Sequence, residues 1–142
     1  MKLANFWQHL PGLWDFERSI SNQHTQVGLL NVKTVNYTLH SAFESGVYKN
    51  EEQTFFRNYQ FSWENDHLNI YGSNPKDGYV LLHSLSDESR VHTHLCNKDS
   101  YQFELEKFDL NNWSSVITIT GPKKNTTIKT SYSRNTITSI NF

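Results

Sequence analysis

This sequence predicts an all-β chain closed into an antiparallel barrel, and three observations carry that prediction. The first is composition. Alanine occurs only at Ala4 and Ala42, Thr, Asn, Ser, Tyr and Phe are plentiful, and aromatics reach 14%. A helical bundle would need the opposite mix. The second is period. Apolar and polar residues alternate through most of the chain, as they do along a half-buried strand. The third is punctuation. Gly and Pro are sparse and fall between short periodic runs, where tight turns need them. A length of 142 residues with 36% hydrophobic residues suits one domain, 1–142. About nine or ten short strands in such a chain favour closure, which removes exposed sheet edges.

The elements follow in order. Residues 3–10 are expected to form one short helix, ended by Pro11-Gly12, with Phe6 and Trp7 capping the barrel. In the first strand, 12–20, Trp14, Phe16, Arg18 and Ile20 share a face opposite Asp15, Glu17 and Ser19. Strands at 27–37 and 39–48 alternate less cleanly, and Gly28 and Gly46 are expected to mark bulges that bend the sheet. The strongest strand is 55–63, with Phe55, Arg57, Tyr59, Phe61 and Trp63 on one face. A turn at Glu64-Asn65-Asp66 leads to a short strand at 67–71. Asn74-Pro75-Lys76-Asp77-Gly78 is a turn in which Pro fixes one φ and Gly supplies a positive one. Strands at 79–85 and 90–96 follow. Asn97-Lys98-Asp99 turns the chain into 101–108, where Tyr101, Phe103 and Leu105 share a face. Residues 113–120 run to Gly121-Pro122. The last strand, 128–134, places Ile128, Thr130, Tyr132 and Arg134 together, and Lys123, Lys124 and Lys129 form a solvated face.

Charge and cysteine content exclude several classes. A formal net charge of −1 argues against a protein that binds nucleic acid by neutralising phosphates. No apolar run reaches the length of a secretory signal or a membrane span. Cys96 is the only cysteine, so no intrachain disulfide forms and no oxidising compartment is needed. A cytoplasmic, soluble monomer or weak dimer is expected, without membrane or nucleic-acid partners. Seven histidines would make it strongly cationic in acid.

Gly12-Leu13-Trp14 opens the first strand and Arg134 closes the last. That pairing resembles the calycin superfamily of lipocalins, fatty-acid-binding proteins and nitrobindin-like barrels. The resemblance implies that Trp14 packs across the barrel floor against Arg134, a cation–π contact that plugs one end. A longer pattern is more specific. It comprises Leu10-Pro11-Gly12-Leu13-Trp14-Asp15-Phe16-Glu17-Arg18, Leu82-His83, His94-Leu95-Cys96-Asn97-Lys98-Asp99-Ser100-Tyr101, Gly121-Pro122-Lys123-Lys124 and Thr130-Ser131-Tyr132-Ser133-Arg134. Together these resemble the domain-of-unknown-function family 6314, small calycin-like barrels. The resemblance runs nearly the whole chain. The family usually carries Asp-Tyr after Gly-Pro-x-Lys, where this chain has Asn125-Thr126.

A barrel of this width is not filled by aliphatic side chains alone and commonly encloses a ligand cavity. If Trp14 faces inward, so do Arg18, Arg57, Tyr59, Tyr132 and Arg134 by alternation. Arg and Tyr in a lumen suit a polar or anionic organic ligand, gripped as fatty-acid-binding proteins grip a carboxylate. Arg18 pairing with an inward acid is the structural alternative. The expected ligand-binding set is Arg18, Arg57, Tyr59, His83, His94, Tyr101, Tyr132 and Arg134. His92, His94 and Cys96 share one strand face, near His83. Imidazole with thiolate suits zinc, and a single His suits haem. Core histidines held by Asp99, Tyr101 or Arg are the competing expectation, so no metal or cofactor is assigned. His94 or His83, oriented by Asp99, would serve as an acid–base pair if the barrel were an isomerase, cyclase or lyase.

Overall fold

A computed structural model describes residues 1–136. The chain runs α1 (Leu3–His9), β1 (Gly12–Ile20), β2 (His24–Asn36), β3 (Leu39–Tyr48), β4 (Thr54–Glu64) and β5 (His67–Asn74). It continues through β6 (Gly78–Leu85), β7 (Val91–Cys96), β8 (Asp99–Phe108), β9 (Asn112–Thr120) and β10 (Asn125–Arg134). The strands form one ten-stranded antiparallel sheet in the order β6-β5-β4-β3-β2-β1-β10-β9-β8-β7. Pairing of β1 with β10 curls the sheet round, in register from Trp14↔Arg134 to Ile20↔Ile128. Among the described residues no ladder joins β6 to β7, so the barrel is nearly closed with one seam. No helix among the described residues is long and apolar enough to cross a membrane.

Turn chemistry sets the registers. Asn65 and Asp66 both take positive φ, 52° and 60°, between the partners Glu64 and His67. That is the geometry of a two-residue hairpin whose twist matches its strands. Asn97, at φ 56°, does the same between Cys96 and Asp99. Asp99 is therefore the first residue of β8, where the sequence suggested a turn. Short turns also join the partners Ile20 and His24, and Thr120 and Asn125.

Gly28 and Gly46 are not bulges. They are register partners, and the register shifts fall instead at Thr34/Asn36, Ile70/Tyr71 and Leu105/Lys107. A Cβ on Gly28 would collide with the Ser45 carbonyl oxygen, and one on Gly46 would meet the Phe16 and Phe55 rings. The two glycines let the backbones of β2 and β3 approach closely.

The core occupies the pole that α1 covers. Leu3, Phe6, Trp7 and Leu10 are buried there with Trp14, Leu68, Leu85 and Trp113. Phe6 packs on Phe108 and edge-on to Trp113, at 5.3 and 5.5 Å between ring centroids. Trp7 stacks on His40 at 3.6 Å, and its carbonyl oxygen lies 3.0 Å from His40 Nε2. As the sequence suggested, Phe6 and Trp7 cap the barrel rather than face solvent.

Candidate ligand-binding lumen

Trp14 begins β1 and Arg134 ends β10, so their pairing lies at the α1 pole. The Arg134 guanidinium sits 4.1 Å over the Trp14 ring. It donates to the carbonyls of His9, Pro11 and Leu110, and Trp14 Nε1 donates to the Leu10 carbonyl at 2.9 Å. Gly12 is at φ 134°, and a Cβ there would stand 2.7 Å from Arg134 Nη1. Arg134 thus ties helix end, first strand and the β8–β9 loop together. It was expected among the ligand-binding residues; the structure places it outside the lumen, where each nitrogen of its guanidinium donates to a backbone carbonyl at the plug.

A cavity of about 440 Å³ opens at the opposite pole. Ile20, Arg57, Cys96, Tyr101, Ile119 and Ile128 stand nearest the strand ends there. Deeper lie Arg18, Tyr59, His83, Phe103 and Thr130, and toward the plug Leu30, Phe61, Trp113 and Tyr132. Arg18, Arg57, Tyr59, His83, His94, Tyr101 and Tyr132 of the expected set therefore border one space. Most of its remaining wall is aliphatic or aromatic. Trp113 and Tyr132 stack at 3.6 Å, and His83 and Phe103 at 4.4 Å, which makes the walls flat and rigid.

Arg18 does not await a ligand carboxylate. Its Nη1 and Nη2 donate to Glu44 Oε2 and Oε1 at 3.1 and 2.6 Å. Its remaining donors reach Gln26 Oε1 at 3.1 Å, Thr130 Oγ1 at 2.9 Å and Tyr132 Oη at 3.4 Å. Gln26 and Glu44 are fully buried. Burial works against the Arg18 charge, but the Glu44 hydrogen bonds, together with the electrostatic pull of Tyr132, Glu44 and Tyr59, outweigh it and raise the pKa above its usual value. The phenols are affected too. Burial, then the neighbouring Glu44 charge, raises the pKa of Tyr59. Burial also raises that of Tyr132. Both remain neutral hydroxyls at physiological pH. Arg57 differs. It is exposed at the mouth, lies 5.3 Å over Phe55, and has no ion pair among the described residues.

The histidines gather at the seam. His83 on β6 lies edge-to-face with His92 on β7 at 5.8 Å, and His94 follows on the same face of β7. His83 is 7% exposed, and its buried Nδ1 has no hydrogen-bond partner. Burial, with His92 and His94 close by, pushes its pKa down to about 4. The acid–base pair suggested by the sequence is not assembled. Asp99 Oδ2 lies 3.6 Å from Lys124 Nζ, and no hydrogen bond links Asp99 to His94 among the described residues. Nor does any group of three or more His, Cys, Asp and Glu side chains among those residues form a set able to hold a metal ion. Cys96 is exposed at the mouth.

Glu44 and Gln26 were not among the residues singled out from the sequence. A signal for Gln26 existed. The turn pairing Ile20 with His24 sets Arg18 opposite Gln26 by counting back along the hairpin. Glu44 shares its face with Ala42 and Gly46, small residues that leave room for a long side chain.

With one pole plugged by a helix and the other open on a lined lumen, the molecule has the form of a small calycin-like barrel. Residues 10–134 match the family of unknown function DUF6314, and the chain belongs to that family. No curated protein matches the sequence. Similar solved structures include S-type phycobiliprotein lyase CPES from Guillardia theta, with a TM-score of 0.64 and 9% identity over 95% of this chain and 93% of that one. A redesigned β barrel, mFAP0, bound to DFHBI aligns with a TM-score of 0.57 and 12% identity over 89% of this chain and 100% of that one. A fluorescence-activating β barrel designed de novo aligns with a TM-score of 0.55 and 9% identity, over 90% of this chain and 95% of that one. At such identities the likeness shows the fold.

Proposed function

We propose that the barrel binds a small organic ligand of amphipathic character, its flat apolar body in the lumen and a polar or anionic group reaching the histidines or Arg57. One observation carries this reading: a space of about 440 Å³ is lined mainly by aliphatic and aromatic side chains, with a few polar groups among them. That is the general make-up of a small-molecule site. Arg57 supports an anionic group, since it is a cation at the mouth without an ion pair among the described residues. Arg18 supports only a neutral polar contact, because Glu44 balances its charge. The solved barrel bound to DFHBI, a small molecule, has the same general fold.

Native mass spectrometry of the freshly purified chain, repeated after denaturation, tests the proposal. An adduct that leaves on denaturation supports it, and the adduct's mass separates an organic ligand from zinc or haem. Titration with 8-anilinonaphthalene-1-sulfonate covers a site that empties during purification. A bare polypeptide mass together with no saturable fluorescence rise would overturn it.

A further inference from the structure

The seam between β6 and β7 differs chemically from the rest of the lumen wall. Elsewhere neighbouring strands share a ladder, and the lining side chains are mostly apolar or grouped around Arg18, with Arg57, Tyr101 and Ser115 the other polar ones. Here two strands meet without a ladder, and His83 faces His92 across the gap, with His94 on the same face of β7. Among the described residues no ion pair joins them to an acid, and Glu88 in the β6–β7 connection is exposed. On β5 the residue opposite His83 is Ile70. On β8 the residues opposite His92 and His94 are Phe103 and Tyr101. Asp99, further along β8, is engaged by Lys124, and Asp87 in the β6–β7 connection lies 4.0 Å from Arg90. Glu104 alternates with the buried Phe103 and Leu105, so it belongs to the outer face. Across the lumen, Glu44 is held by Arg18, and Arg57 stands at the mouth.

Burial without a carboxylate partner disfavours the charged form of a histidine such as His83. An anion among the seam histidines reverses the balance, because each proton taken up then gains an opposite charge within a poorly solvated site. We propose that His83 and His94, with His92 packed against His83, hold the acidic group of an organic anion in the lumen, and that this cluster takes up a proton from solvent as it binds. This rests on the lumen reading above and adds the acidic group, its place and its coupling to protons. His83 and His94 line the cavity, so a ligand reaches them without rearrangement of the barrel. With its titration pushed down to about 4, His83 carries no proton beforehand, and burial shifts His92 in the same direction. By linkage, a ligand that raises a site's proton affinity is itself bound more tightly at lower pH, by at most about tenfold per pH unit per proton.

The test uses two fluorescent probes of similar shape on the full chain, at constant salt between about pH 5 and pH 8. One is 8-anilinonaphthalene-1-sulfonate, whose sulfonate stays charged throughout; the other is uncharged N-phenyl-1-naphthylamine. The expected result is sulfonate affinity that rises several-fold per unit as pH falls, with affinity for the neutral probe flat. His83→Phe, which keeps a ring on Phe103, should flatten the sulfonate pH profile, read as the ratio of sulfonate to neutral-probe affinity of the same variant at each pH. Calorimetry of the unaltered chain in two buffers of different ionisation enthalpy should show net proton uptake with the sulfonate only. Both probes binding with the same pH profile, or no proton uptake, would overturn the seam proposal and leave the lumen reading standing. Failure of both probes to bind would overturn the lumen reading itself.

Discussion

Glu44→Gln is the most informative single change, because it removes a charge while keeping a side chain of the same shape. Arg18 is 6% exposed and Glu44 fully buried, and two charge-assisted hydrogen bonds of 2.6 and 3.1 Å join them. Leaving one member of such a pair buried without the other costs about 3–5 kcal/mol. Gln26, Thr130 and Tyr132 continue to accept from Arg18, which places this case near about 3 kcal/mol. With an m-value of about 2 kcal/mol/M, the urea midpoint at pH 7 should fall by about 1.5 M, followed by tryptophan fluorescence. The double substitution Arg18→Met, Glu44→Leu should recover most of the loss, since apolar replacement of a buried pair is often neutral. Glu44→Gln should also tighten 8-anilinonaphthalene-1-sulfonate, because the Arg18 charge then faces the lumen unopposed. A single variant within about 1 kcal/mol of the parent would refute the reasoning. So would a double variant as unstable as the single.

Arg57→Gln should weaken sulfonate binding about fivefold, about 1 kcal/mol, while urea unfolding stays within about 0.5 kcal/mol of the parent. The His83 pKa lies below its unfolded value, so the folded chain binds fewer protons than the unfolded one between about pH 4 and 6.5. Stability should therefore fall as pH drops through that window, by at most about 3 kcal/mol from His83, and His83→Phe should remove that part of the slope in urea titrations. Gly28→Ala should cost at least about 2 kcal/mol by calorimetry, since its Cβ collides with backbone that has no room to yield. Phe6→Ala should cost about 3–5 kcal/mol by opening the plug, measured by the same unfolding titration.

Much of the lumen was legible because strand alternation is a local property. Once Trp14 is taken as inward, Arg18 follows two pleats later, and Arg57, Tyr59 and Tyr132 follow from their own strands. Arg134 shows the limit of that logic. Alternation gives its side of the sheet but not its depth, and at the plug an inward arginine meets backbone carbonyls rather than a ligand. Asp99 shows another. Close to His94 in sequence, it turns to Lys124 because a two-residue hairpin makes it the first residue of the next strand.

Composition and period by themselves determined the class of fold, nearly every strand and the helix that plugs one end, since these depend on neighbours within a few residues. Tertiary structure decided the rest. It chose Glu44 as the partner of Arg18, 26 residues away. It set Gly28 against Gly46 as a close approach rather than a bulge, and it left the seam where His83 meets His92. Each depends on how far the sheet curls before its ends meet, and that is settled by all the strand registers together.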